Sequence, residues 1–259
     1  RYASRGLGDV YKRQSYNSKI INLIMGRAFE FRKARKMKRW SSMAKTFTRI
    51  GKDIVIAVKE GGASPETNSK LRAVIQNAKS ANMPKDNIQR AIKNASEKNT
   101  ENYKEIVLEG YGPNGIAVIV DCTTDNNNRT VANIRSYFNK YGGNLGTNGS
   151  VDYLFDKFCV FKIKNINEID DLELDLIDYG LEEIVVDNDL NEVIIYANFD
   201  SFGEIQNQLE KKEIEIISSE IEKIPKTVLE LNDQQREEFE CFVQKCEEDD
   251  DVQKVHHNA

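Results

Sequence analysis

CVFKIK at 159–164, INEIDDLELDLIDY at 166–179, EEIVVD at 182–187, EVIIYA at 192–197, FGEIQNQLEKK at 202–212 and IEIISSEI at 214–221 carry the fold. The β-branched runs alternate with period 2, and the longer stretches place leucine and isoleucine at helical spacing. The order is β-α-β-β-α-β, the ferredoxin-like pattern, over about residues 157–224. Pro225 closes it.

Working outward, TVLEL (227–231) reads as a strand, NDQQREEFECFVQKC (232–246) as a helix and DVQKVHH (251–257) as a strand. Those three elements cannot bury a sheet face alone. They can complete the segment before the insertion. There KEIVLEGY (104–111) and IAVIVDCTT (116–124) read as paired strands, 127–141 as a helix and VDYLF (151–155) as a short strand. Residues 99–156 and 225–259 are thus expected to form one α+β domain, split by the insertion of residues 157–224.

Residues 25–98 change character. Met43, Phe47, Ile50, Ile54, Ala57 and Val58 mark one helix face, stopped by Gly61-Gly62. Ser64-Pro65 reads as the cap and first position of a second helix with Leu71, Ile75, Ala78 and Ala81 buried. Pro84 opens a third with Ile88, Ala91, Ile92 and Ala95. The fold class expected is α+β multidomain: a small all-helical N-terminal domain, then two α+β ferredoxin-like domains, one inserted in the other. Residues 1–24 show no period of either kind and read as a non-native or disordered extension without function.

Charge is divided unevenly. Residues 25–98 hold 18 Lys and Arg against 6 Asp and Glu, whereas residues 99–259 hold 14 against 35. A basic head on an acidic body points to a polyanion partner for the head. Seven of the thirteen residues from Arg27 to Arg39 are basic. Lysine and arginine there neutralise phosphates and release counterions without needing a fold, and Phe29, Phe31 and Trp40 are placed to stack on bases. Candidate nucleic-acid contacts are Arg27, Arg32, Lys33, Arg35, Lys36, Lys38, Arg39, Trp40, Lys45, Arg49 and Lys52.

Asn128, Arg129 and Thr130 join them, from TDNNNRT at 124–130. Asn and Asp suit a helix N-cap. A cation in the first turn opposes the helix dipole, so Arg129 points to a phosphate beside free backbone N–H groups. Gly142-Gly143-Asn144-Leu145-Gly146 is read as nearby backbone that permits close approach.

Enzyme signals are poor. Gly110-Tyr111-Gly112-Pro113-Asn114-Gly115 matches G-x-G-x-x-G, but a strand follows it, so it reads as a hairpin loop. His256 and His257 are the two histidines and lie in the last four residues, so a Ser-His-Asp or Cys-His arrangement would need a tail residue to reach a core nucleophile. Cys241 and Cys246 lie five apart on one helix, poor geometry for a shared ion, and the run Glu247–Asp251 reads as a solvated loop. No catalytic residue, metal or cofactor is expected, and no small-molecule substrate. The four cysteines lack paired spacing, which suits reduced thiols in a cytoplasmic chain. No apolar run approaches bilayer length, so no membrane partner is expected.

The stretches MGRAFEFRKARKMKRWSSMAKTFTRIGKDI (25–54), NAKSANMPKDNIQRAI (77–92), EGYGPNGIAVIV (109–120), TDNNNRT (124–130), KYGGNLGTNGSVDYLF (140–155) and EEDDDVQKVHHN (247–258) resemble the YebC/PmpR-like family. The opening resembles its MGRAFE subgroup. The resemblance implies three domains, a cytoplasmic location, no enzymatic activity, and probable DNA-binding transcriptional regulation. It also implies an alternative: a ribosome-associated translation factor that binds ribosomal RNA or tRNA and relieves stalling at proline-rich stretches. The mitochondrial relative is a translational activator of cytochrome c oxidase. A third reading is an acidic protein-interaction module with an incidental basic arm. No family binding residue is carried over.

Overall fold

The computed structural model describes residues 43–97, 102–166, 168–187 and 190–259. The chain divides into two units, Arg1–Thr46 and Phe47–Ala259. Of the first unit, residues 43–46 are described, in the opening turn of helix α1 (residues 43–61).

Ile50, Ile54, Ala57 and Val58 of α1 pack on Leu71 and Ala78 of α2 (Ser69–Ser80) and on Ile88 and Ala95 of α3 (Lys85–Ser96). Gly62, at φ +86°, ends α1 in the left-handed conformation that glycine adopts freely. The second helix does not begin at Ser64-Pro65. That dipeptide opens a turn, and Asn68 is the cap. Its buried amide accepts from Leu71 N at 3.0 Å and donates to Ala57 O at 2.7 Å and Gly62 O at 2.9 Å. One side chain thus caps α2 and satisfies the frayed end of α1, which Ser64 is too short to do.

The first sheet has the order β3-β1-β2-β8. Strands β1 (Lys104–Tyr111) and β2 (Ala117–Thr124) form an antiparallel hairpin closed at Tyr111 and Ala117. The G-x-G-x-x-G stretch is the hairpin loop, with a 3-10 turn over Pro113–Gly115. Helices α4 (Asn127–Lys140) and α7 (Asp233–Glu247) cover one face with Ile134, Phe138, Phe239 and Phe242. Strand β8 (Val252–His257) pairs with β2, so both histidines belong to the sheet. Strand β3 (Asn144–Leu145) approaches β1 closely: a Cβ on Gly143 would lie 2.5 Å from Tyr111 O.

The second sheet has the order β5-β6-β4-β7, all antiparallel. It comprises β4 (Phe155–Lys164), β5 (Leu181–Asp187), β6 (Glu192–Asn198) and β7 (Ile216–Pro225). Helices α5 (Ile169–Ile177) and α6 (Phe202–Lys211) seal one face, with Leu172, Leu176, Ile205 and Leu209 against Phe161, Ile163, Val193 and Ile195.

Two expected strands are absent. TVLEL is irregular, joined to the sheet region by Leu229 N donating to Asn258 O at 2.7 Å. The Asn232–Gln235 capping box turns the chain into α7 directly after it. Residues 152–154 of VDYLF form a 3-10 turn. The buried Glu109 carboxylate imposes it by accepting from Gly149 N, Val151 N and Asp152 N at 2.8–3.0 Å.

Candidate nucleic-acid interface

The N-terminus of α4 is built as its sequence suggests: Asn126 is the cap, and its side chain accepts from Arg129 N at 3.2 Å. What faces it is a carboxylate of the chain itself. Asp251 Oδ2 lies 2.8 Å from Arg129 Nη2, 2.8 Å from Thr130 Oγ1 and 3.1 Å from Thr124 Oγ1. Asp251 Oδ1 takes Lys52 Nζ at 2.8 Å. The Lys52 ammonium also donates to Thr123 O at 3.0 Å and Asp250 O at 2.7 Å, which uses all three of its protons. Although the site is buried, hydrogen bonds from Arg129, Lys52 and Thr130 hold the Asp251 carboxyl far below the usual carboxylate range.

This corrects several sequence expectations. Lys52 is buried, not available to phosphate, and Thr130 is wholly buried. Arg129 is about half exposed, but it is held by Asp125 at 2.6 Å as well as by Asp251. Arg49 donates to Glu247 O at 2.8 Å. Arg49, Lys52 and Arg129 therefore converge on the acid run 247–251, which is a partner for cations rather than a solvated loop. Asp249 in the same run accepts from Asn133 at 3.2 Å and Tyr137 at 3.0 Å, and burial together with Asp249 pushes the Tyr137 phenol up to about 12. The glycine stretch 142–146 lies beyond the opposite end of α4 from Arg129 and shapes the β3–β1 approach. Asn128 is exposed, and Lys45 lies in the first unit. Arg27, Arg32, Lys33, Arg35, Lys36, Lys38, Arg39 and Trp40 fall outside the described residues.

The cations left on the surface are others. Lys79 at the end of α2 and Lys85, Arg90 and Lys93 on α3 are exposed, and among the described residues none has an ion pair. Arg90 and Lys93 sit opposite the face of α3 that buries Ile88 and Ala95, and Lys85 stands at its first position. The polar positions of that amphipathic stripe were the available signal. Residues 81–84 join α2 to α3, with Asn82 at φ +59°, a connection of helix-turn-helix length that the sequence had not suggested.

Cys122, Cys159 and Cys246 are buried in the fold, whereas Cys241 is exposed. Burial pushes Cys246 up to about 12 and Cys159 up to about 11, so both are protonated at neutral pH. His256 Nε2 lies 3.1 Å from Asp121 Oδ2, and the His257 ring stands edge-on to Phe239.

Residues 27–98 match the TACO1/YebC protein N-terminal domain, and residues 103–259 match the TACO1/YebC second and third domain. A probable transcriptional regulatory protein of Flavobacterium johnsoniae is 62% identical over 234 residues, covering 90% of this chain and 98% of that protein. One from Parabacteroides distasonis is 55% identical over 236 residues, covering 90% and 96%. The crystal structure of a conserved hypothetical protein from Aquifex aeolicus superposes with a TM-score of 0.70 at 36% identity, covering 83% of this chain and 89% of that one.

Proposed function

Because the chain belongs to the TACO1/YebC family, we propose that it is a non-enzymatic regulator of gene expression that binds DNA in the cytoplasm. The observation that carries this reading is the sorting of cations. Those near the acid run are consumed by carboxylates and carbonyls, whereas Lys79, Lys85, Arg90 and Lys93 stay exposed on the helical head with no ion pair among the described residues. The four-residue turn between α2 and α3 supports a duplex target. In this reading the head supplies affinity, and the two α+β domains, 99–156 with 225–259 and the inserted 157–224, position it.

The aromatics Phe29, Phe31 and Trp40 among the arm's charges favour a second reading, a ribosome-associated factor that binds ribosomal RNA. Filter binding over a salt series tests both. Replacing Lys79, Lys85, Arg90 and Lys93 by Gln is expected to flatten the log–log salt slope by about 3–4 units on duplex DNA, at ~0.9 per phosphate contact. An unchanged slope removes these residues from the interface. Tighter binding to a ribosomal RNA fragment than to any duplex moves the target to the second reading.

A further inference from the structure

The second sheet has one face sealed by α5 and α6. The residues of the other face follow from strand register. Glu183, Tyr196, Val160 and Glu220 form one row across β5, β6, β4 and β7. Val185, Ile194, Lys162 and Ser218 form the row on one side of it, and Asn198, Phe158 and Glu222 the row on the other. Apolar side chains, Val185, Ile194, Tyr196 and Phe158, therefore cross this face between carboxylates at both edges, with Val160 buried among them and Lys162 and Lys164 on the same side of β4. Val185 is 38% exposed, and Phe158, Ile194 and Tyr196 are half-buried. Burial, then Glu222 and Glu183, raise the Tyr196 phenol, which places both acids in the field of the ring.

Aromatics on the two central strands of such a sheet are a stacking platform for bases in some RNA-binding domains. Here the flanking acids repel phosphate. Residues 157–224 hold 18 Asp and Glu against 6 Lys and Arg. The face also displays what it accepts: Lys254 of β8 reaches over its β7 edge and gives its ammonium to Glu220 at 2.8 Å and Glu222 at 3.0 Å. At the opposite edge Glu183 has no ion pair among the described residues, and no described cation sits over Tyr196.

We propose that the β5–β6 half of this open face, Glu183, Val185, Ile194 and Tyr196, docks an extended basic segment of a partner protein. Its apolar side chains lie on Val185 and Ile194, and its Lys or Arg side chains reach Glu183 and the Tyr196 ring, as Lys254 already reaches Glu220 and Glu222. The unpaired edge of β5 lets such a segment add as a strand. These residues are other than the cations Lys79, Lys85, Arg90 and Lys93 of the proposed nucleic-acid surface.

The test is fluorescence anisotropy of the full chain with a short labelled peptide of alternating lysine and leucine. Glu183→Lys is expected to weaken binding about tenfold through charge reversal, and Tyr196→Leu about threefold through loss of the cation–π contact. Asp171→Lys is the charge-matched control, because Asp171 is exposed on α5, over the sealed face. Binding within about twofold of the unmodified chain is expected for it, since distant exposed charges are screened. Equal losses in Glu183→Lys and Asp171→Lys overturn the proposal, because the peptide then reads net charge alone. A single-stranded RNA that binds this chain and is lost in Tyr196→Leu also overturns it.

Discussion

Lys52 and Asp251, 199 residues apart in sequence, meet at 2.8 Å with both side chains more than nine-tenths buried. The pair fastens α1 to the loop that leads into β8. Thr124, Arg129 and Thr130 on the same carboxylate bring in the start of α4. Three segments distant in sequence thus share one buried anion.

Removing one partner of such a pair leaves an uncompensated buried charge, which costs about 3–5 kcal/mol. Lys52→Ala is expected to lower stability by that order in urea denaturation. The double variant Lys52→Met with Asp251→Leu is expected to recover much of the loss. A Lys52→Ala chain as stable as the parent would mean that water reaches Asp251.

The same carboxylate sets an acid limit. Its folded pKa lies below the unfolded value of ~3.9, so its stabilisation is complete above about pH 4 and is lost as pH falls further. Asp251→Asn is expected to be less stable than the parent at pH 7, with the gap narrowing below pH 4. Melting curves across pH 2–8 check this.

Arg129 was expected to oppose the α4 dipole at no benefit to the fold. Its pairs with Asp125 and Asp251 reverse that. Arg129→Ala is expected to lower the melting temperature, by less than Lys52→Ala because Arg129 is about half exposed. The two effects should be non-additive, since both residues act on Asp251. A variant equal to or above the parent restores the phosphate reading.

Asp53 behaves oppositely. Burial, reinforced by Glu105, pushes its carboxyl up to about 7, against the opposing pull of Lys70, Lys52 and Arg49. Its contact is Gln253 Nε2 at 3.2 Å. A raised folded pKa means that ionisation favours the unfolded chain, so stability falls as pH rises from about 4 through 7. Asp53→Asn is expected to gain on the order of 2 kcal/mol at pH 8 and nothing below pH 4. A gain equal at both pH values would point to packing rather than charge.

Asn77 of α2 completes the edge of β7: its amide donates to Ser219 O at 2.7 Å and accepts from Ser219 N at 2.9 Å. Asn77→Ala leaves both backbone groups without this partner, at about 1–3 kcal/mol. Hydrogen exchange at the Ser219 amide should accelerate while exchange in the first sheet stays unchanged.

The sequence made the regular elements readable because their signals are local. Alternation in EVIIYA and helical spacing in FGEIQNQLEKK each lie within one element. TVLEL misled because alternation records which side chains are apolar and not whether a partner strand is free. Ser64-Pro65 misled because a better cap stood four residues on, in Asn68, whose bonds to Ala57 and Gly62 depend on how α1 ends. The candidate site was the least readable. A lysine in a basic stretch reads as solvent-facing, and nothing near Lys52 announces a carboxylate 199 residues away. The acid run 247–251 carried the missing half of that information, in a stretch that looks like ordinary solvated surface.

The long separation of Lys52 and Asp251 has a consequence for the order in which the protein is made. At ~5–20 residues per second, Lys52 leaves the ribosome about 10–40 s before its carboxylate does. During that interval the helical head exists with its inner cation unanswered, and the first sheet lacks the β8 edge of β2. The Lys52 fastening of α1 closes only when synthesis passes Asp251, so translation itself times the moment at which this lysine acquires its acidic anchor. A chain interrupted before β8 carries the full basic head without that restraint.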